Sequence, residues 1–317
     1  MSATLVTGAS TPLGRALLRR LLDDPSVHHV VGTGPEPTLP PPHLDPARFT
    51  WIQTDLTRAR SVRRLLYGPV RTHGVQTVIH TAQHRAARDR GQRIHRLNVE
   101  ATRLMLELAE DHDTVVRFVL RSYGEVYRTH ADQPDILPES HPLDMRPSAS
   151  QWVRDRVEAD LTACARMGMS RLRVIVLRLA EVCAPGVGSQ LHDYLRSRVC
   201  LRPIGFDPMV NLLSLPDAAR ALHLASTLAD SGIYNIPGYD TLPLSEVIRH
   251  AGRVAVPLPG PALGPLYRLR ALTRRTDFDY HMNALRLHFN GLLCGARAQA
   301  IGYTPRTPIV WTSMRDA

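Results

Sequence analysis

Val6-Thr7-Gly8-Ala9-Ser10-Thr11-Pro12-Leu13-Gly14 is the stretch whose reading decides the fold. Thr4 to Thr7, at its start, reads as a short strand, and Leu13 to Asp23, at its end, as an amphipathic helix. A strand that enters a helix through a glycine-bearing turn leaves free backbone N–H groups at the helix N-terminus, where they can hold a pyrophosphate. Gly8 permits the tight turn, Gly14 lets the helix pack closely on its strand, and Pro12 suits a first helical turn. With Ser10, Thr11 and Leu13 these residues form a candidate cofactor loop.

The pattern repeats on both sides of that loop. Further strands are predicted at His29 to Thr33, Phe49 to Gln53, Thr77 to Thr81, Val115 to Arg121 and Arg173 to Arg178. Helical periodicity lies between them at Ser61 to Tyr67, Arg93 to Asp111 and Gln151 to Met167. Strands alternating with helices predict a Rossmann-type α/β fold, a doubly wound parallel sheet with a smaller C-terminal lobe. The expected division is a dinucleotide-binding domain over 1–180 and a smaller substrate-type lobe over 181–317, with some interleaving. Pro35 to Pro46, with six of the 25 prolines, reads as an extended connection. From about Ala184 the elements shorten, and Val256 to Pro265 is too rich in Pro and Gly for a central strand.

Composition bounds the function. A chain of 317 residues with 44% apolar and 21% charged residues can bury a large core, which excludes disorder, collagen and coiled coil. No apolar run approaches a membrane span and no signal peptide is read at Met1, so the expected compartment is the cytoplasm. The 39 basic residues counted as Lys plus Arg are all Arg, which excludes Schiff bases, P-loop lysines and any Tyr-x-x-x-Lys dyad. The net charge of +10 permits nucleic-acid binding, but the arginines are interspersed with acids, so no specific nucleic-acid partner is expected. Cys164, Cys183, Cys200 and Cys294 are far apart and read as free thiols. His80, His84 and His95 lack a carboxylate at ligand spacing, and no metal site is expected.

The loop Thr7-Gly8-Ala9-Ser10-Thr11-Pro12-Leu13-Gly14 resembles the Thr-Gly-x-x-Gly-x-x-Gly loop of extended short-chain dehydrogenases/reductases, the NAD-dependent epimerase/dehydratase group, with Thr11 at the middle glycine. The resemblance continues through Val30-Val31-Gly32-Thr33-Gly34, Asp55-Leu56, Val78-Ile79-His80-Thr81-Ala82 and Asn98-Val99. It extends to Arg178, Pro185-Gly186, Gly232 to Ile236, Leu242 to Glu246 and Ile301 to Pro305. It implies an NAD or NADP cofactor, with Gly34, Asp55, Leu56, Thr81, Ala82 and Asn98 joining the loop residues around it. Gly34 stands where an NAD-preferring member carries the ribose-binding Asp; Glu36 is the nearby substitute, and the choice between NAD and NADP stays open. Homodimerisation through the helices near Arg93 to Asp111 and Gln151 to Met167 is also implied.

The family's hydride chemistry uses a Ser or Thr and a Tyr on the substrate hydroxyl, with a Lys that lowers the Tyr pKa and holds the nicotinamide ribose. In Arg121-Ser122-Tyr123-Gly124-Glu125-Val126-Tyr127 the serine slot holds Tyr123, and Ser122 is one residue off, on the opposite face of a strand. The Tyr-x-x-x-Lys slots hold Trp152 and Arg156; a register two residues earlier gives Ser150 and Arg154. Neither supplies a phenol and an amine. The favoured expectation is a divergent member that keeps a nucleotide cleft without the standard Ser/Tyr/Lys set, acting as a cofactor-binding, sensing or structural protein with an unidentified small-molecule ligand. The alternative is an active NAD(P)-dependent oxidoreductase or epimerase with Tyr123 as acid/base and Arg156 as ribose clamp.

Overall fold

The computed structural model describes residues 2–38, 47–228, 230–273 and 277–311. In chain order the first half contains β1 (Ser2–Thr7), α1 (Pro12–Asp23), β2 (Val27–Gly34), β3 (Phe49–Gln53), α2 (Ala59–Leu65), β4 (Thr77–His80), α3 (Gln92–His95), α4 (Ala101–Glu110), β5 (Arg117–Tyr123), β6 (Ile136–Leu137) and α5 (Gln151–Cys164). The second half contains β7 (Arg173–Leu179), β8 (Glu181–Val182), α6 (Gln190–Leu195), β9 (Val199–Pro203), β10 (Met209–Leu213), α7 (Leu215–Ala225), β11 (Gly232–Ile236), β12 (Asp240–Pro243), α8 (Leu244–His250), β13 (Val254–Leu258), α9 (Gly260–Thr273), α10 (Tyr280–Asn283), β14 (Leu292–Leu293) and α11 (Ala296–Ala300).

Seven strands form one sheet in the order β11-β7-β5-β4-β1-β2-β3, every neighbour parallel. Strand order reverses between β1 and β4, the place where an open α/β sheet leaves a crevice beyond its carboxyl ends. The central strands are buried along their length because both faces are covered, which is why Leu5-Val6 and Val78-Ile79 read as unbroken apolar runs. On one face Leu13, Leu17 and Leu21 of α1 pack with Ala218 and Leu222 of α7. On the other, Val62, Met105 and Leu106 pack on Val78, Phe118 and Leu120. Each fully buried side chain of this kind contributes about 1.5–3 kcal/mol.

The predicted Rossmann-type sheet is therefore present, with shifted boundaries. The strand expected at Thr77 to Thr81 ends at His80, and the one expected at Val115 to Arg121 runs from Arg117 to Tyr123, so it includes Ser122 and Tyr123. The helix expected from Arg93 begins at Gln92 and passes through a wide π turn at Arg96–Glu100 before α4. The helix expected at Ser61 to Tyr67 closes at Leu65, where a π turn at Leu66–Val70 accommodates Pro69. The helix expected to Met167 stops at Cys164. Residues 39–46 of the proline-rich connection lie outside the described residues.

The smaller lobe carries short sheets: β8-β10-β12, β9-β13 and β6-β14. Val254–Leu258, in the Pro- and Gly-rich stretch, forms a two-stranded pair rather than a central strand. Within the smaller lobe, Leu212, Tyr194, Phe278 and Leu287 share a separate core.

Candidate functional site

A cleft of about 960 Å³ opens beyond the carboxyl ends of β1, β2 and β4, and Gly8, Ser10, Thr11, Gly34, Asp55, Leu56 and Ala82 line it. Gly8 has φ +65°, and a Cβ there would meet the Ala82 backbone at 2.9 Å. A Cβ on Gly14 would stand 2.3 Å from the Gly8 carbonyl oxygen, so only glycine lets α1 approach its strand. Thr11 needs no glycine-like backbone: it is the N-cap of α1 at φ −71°, its hydroxyl accepting from Gly14 N at 3.0 Å and donating to Gly8 O at 2.8 Å. The hydroxyl is thereby turned into the cap.

Other expected cofactor residues build the cleft from behind. Pro12 opens α1, Leu13 is buried in the core, and Gly14 packs on the turn. The Thr81 hydroxyl donates to the Thr7 carbonyl at 2.7 Å, tying the end of β4 to β1. Asn98 lies under the cleft, its Oδ1 accepting from His84 N at 2.8 Å and its Nδ2 donating to Asp155. These five residues do not line the cavity. Sequence reasoning missed Arg85, which crosses the cleft and donates to the Gly186 carbonyl at 2.7 Å, and also Gly188, Ser189 and His192 on the far wall.

Glu36 stands beside Gly34. A methyl group on Gly34 would fall 2.7 Å from Glu36 Oε2 and 3.0 Å from Ser10 Oγ, so the Glu36 carboxylate is folded back over the end of β2. Glu36 Oε2 is buried with no hydrogen-bond partner among the described residues. A buried, unsatisfied carboxylate oxygen is costly unless a ligand hydroxyl meets it.

The catalytic slots are filled differently. Arg156 is 2% exposed, its guanidinium carbon 3.4 Å from the Tyr123 ring centroid and 3.5 Å from that of Trp152. Its Nη1 donates to Glu125 Oε2 at 2.8 Å. Arg121 lies over the same Tyr123 ring and donates to its phenol oxygen. Tyr123 is buried and lines a small gap shared with Gly188 and Ser189 rather than the main cleft. Ser122 faces the other way and donates to Asp160, which also holds Arg178 through both carboxylate oxygens. Of the two possible registers, Trp152 and Arg156 turn inward, while Ser150 caps α5 and Arg154 donates to the Pro147 and Ala149 carbonyls at the surface.

Around this stack lies a buried charge cluster that sequence reasoning missed: Arg121, Arg156 and Arg286 with Glu125 and Glu181. Burial, reinforced by the Glu125 charge, pushes Glu181 up to about 8. Burial opposes ionisation of Glu125 as well, but Arg156 and Arg286 hold it below the usual carboxylate range. Burial lowers Arg121 to about 9 and Arg156 to about 10. The available signal was a charged residue ending an apolar strand run, at Arg121 and again at Glu181.

Each histidine considered for a metal has another partner: His80 bridges Thr7 and Thr102, His84 meets Asp89, and His95 meets Asp155. Among the described residues no group of metal-ligating side chains converges, and the four cysteines are unpaired. No described helix is long and apolar enough to cross a membrane.

A crevice at a sheet's switch point, a glycine turn into a helix N-terminus and an acid at the end of β2 define a nucleotide-binding Rossmann protein. The model of the NAD dependent epimerase/dehydratase family matches residues 4–236, and the chain belongs to that family. An uncharacterized protein of Mycobacterium tuberculosis and its counterpart in Mycobacterium bovis are 29% identical over 320 residues, covering 98% of this chain and 81% of theirs. Among solved structures, a UDP-glucose 4-epimerase of Thermus thermophilus in complex with NAD is 17% identical, with TM-score 0.72 over 99% of this chain and 96% of that one. The dTDP-glucose 4,6-dehydratase DesIV of Streptomyces venezuelae, with NAD bound, is 21% identical, with TM-score 0.68 over 97% and 93%. These likenesses show the fold.

Proposed function

We propose that the protein binds NAD in the β1–β4 cleft and acts as a cofactor-holding or cofactor-sensing member of its family, without the Tyr/Lys proton transfer. The observation that carries this reading is Arg156 wedged between the Trp152 and Tyr123 rings and ion-paired to Glu125, which occupies a guanidinium in a static stack. The residues of the cleft fit the cofactor. Backbone groups of the Gly8 to Thr11 turn and the α1 N-terminus would hold the pyrophosphate, and Leu56 and Ala82 would flank the bases. Glu36 would accept from the adenosine ribose hydroxyls, and its carboxylate would repel a 2′-phosphate, which favours NAD over NADP. When bound, the nicotinamide supplies hydride chemistry; the chain's contribution in this reading is to bind and orient it.

In this reading residues 1–180 form the nucleotide domain and 181–317 the smaller lobe, interleaved in that α7 and β11 return to the main sheet, and two copies pair through the helices at 92–110 and 151–164. Calorimetric titration tests the core claim. NAD+ is expected to bind at least tenfold more tightly than NADP+, a difference of about 1.4 kcal/mol, and Glu36→Gln is expected to erase that preference. No heat with either dinucleotide at millimolar concentration sinks the proposal. One observation favours a second reading: Arg121 donates to the Tyr123 phenol, which sets a cation beside the oxygen that an acid/base would use. If Tyr123 is an acid/base, Tyr123→Phe abolishes turnover of an identified substrate while leaving NAD+ affinity intact.

A further inference from the structure

On the lobe side of the Tyr123 stack lies a second cavity of about 130 Å³. Leu137, Leu191, Tyr194, Phe278, Leu287 and Leu293 supply apolar walls, and Arg286, Glu125 and Glu181 stand at its polar side. Glu125 and Glu181 also line the small gap holding Arg121 and Tyr123, so the charge cluster is the wall between this cavity and the main cleft. Three guanidinium groups face two carboxyl groups there. Arg121 Nε, Arg156 Nη2 and Arg286 Nη1 are buried without a hydrogen-bond partner among the described residues. Arg286 Nη2 donates to the Glu125 carbonyl at 2.7 Å. A buried cluster with excess positive charge and unsatisfied donors is unstable on its own terms and complements an anion.

We propose that this cavity binds a small organic acid, its carboxylate seated on the arginine cluster at Arg286 and its apolar body among the leucines and aromatics. Size sets the class, because an apolar cavity of about 150 Å³ takes a benzene ring, whereas pockets for drug-sized ligands run from about 300 Å³ upward. The body is therefore benzene-sized, and a nucleoside diphosphate is too large. Planar guanidinium forks match a carboxylate through paired N–H donors. Glu181 sets a pH window. It is faced by Glu125 on the turn after β5, Arg121 on β5, Arg156 on α5, Arg286 after α10, Ser189 before α6 and its own neighbour Cys183. While its carboxyl is protonated the cluster keeps its excess positive charge; above about pH 8 a second carboxylate competes with the ligand.

The test titrates the full chain with benzoate, benzamide and inorganic phosphate, following heat and thermal shift, independently of any dinucleotide. Benzoate is expected to bind more than tenfold more tightly than benzamide and to weaken as pH rises from 7 to 9. Arg286→Gln is expected to abolish the difference between the two. Leu293→Phe, which fills the cavity and leaves the charges, provides a second variant and is expected to exclude benzoate. Equal binding of benzoate and benzamide, binding of phosphate in preference to benzoate, or no binding of benzoate to the folded chain overturns the proposal. NAD+ affinity of the same preparation separates this outcome from failure of the cofactor reading.

Discussion

Replacing Arg156 by Met decides whether this residue is a structural wedge or a cofactor clamp. In the structure its guanidinium lies between two aromatic faces, at 3.4 and 3.5 Å from their centroids, with one nitrogen on Glu125 at 2.8 Å. Breaking a buried ion pair from one side costs about 3–5 kcal/mol, because the partner charge stays buried. Arg121 and Arg286 still stabilise the Glu125 charge, which places the expected cost at the low end of that range. Desolvated cation–π stacking adds about 2 kcal/mol. A methionine recovers part of that through its own contacts with the two rings. The net expectation is a loss of about 3–4 kcal/mol in urea unfolding at pH 7, with NAD+ affinity within about threefold of the parent. Glu125→Gln in the same background should recover about 2 kcal/mol of it, a coupling that a double-mutant cycle isolates. A loss under about 1 kcal/mol accompanied by a more than tenfold drop in NAD+ affinity would refute the wedge and favour the ribose clamp.

Two further outcomes follow from the cleft itself. Gly14→Ala places a methyl 2.3 Å from a backbone oxygen and should cost about 1–3 kcal/mol or more and weaken NAD+ binding. Gly264→Ala in α9, whose methyl would meet the His281 ring at 3.8 Å, should be neutral or stabilising by up to about 1 kcal/mol; equal melting temperatures for the two variants would contradict the close approach of α1. His80 is fully buried, its Nδ1 accepting from the Thr7 hydroxyl and its Nε2–H donating to Thr102, and burial lowers it to about 4 from 6.5. The unfolded chain therefore takes up this proton first, so the stability present above pH 6.5 is lost as pH falls toward 4, by about 3 kcal/mol for this group. Unfolding curves between pH 7 and 4 check this, and the same slope in His80→Gln would rule out His80 as its source.

The fold was legible because its signals are local. Gly8 and Gly14 are demanded by a turn and a contact that lie within one short stretch, and the buried strands announce themselves as apolar runs. Boundaries were less legible where helices pass through π turns, as at Leu66–Val70 and Arg96–Glu100, since a five-residue turn disturbs the periodicity on which the reading depends. Thr11 looked like an obstruction because the sequence names the residue and not its rotamer; as an N-cap its hydroxyl is satisfied within the helix. Gly34 looked like a missing acid because Glu36 lies two residues on, and only the backbone path after β2 shows its carboxylate returning over Gly34.

The charge cluster was illegible for a different reason, and that reason also shows where its signal lay. Glu125 and Glu181 are distant in the chain, and no motif spans them. They meet because β5 and β7 are parallel neighbours in a register that sets Arg121 opposite Leu177 and Tyr123 opposite Leu179, which keeps the two acids, each two residues past that last pair, level with one another. Once parallel pairing is granted, a one-residue slip would turn Tyr123 and Ser122 to each other's faces and part the acids. The observed register sends Ser122 to Asp160 and Arg178, where a satisfied ion pair stabilises the sheet, and Tyr123 to Arg121 and Arg156, where donors remain unmet. One face of the strand end is thus closed by its own partners and the other is left asking for a ligand, which is why the site to interrogate lies on the Tyr123 side.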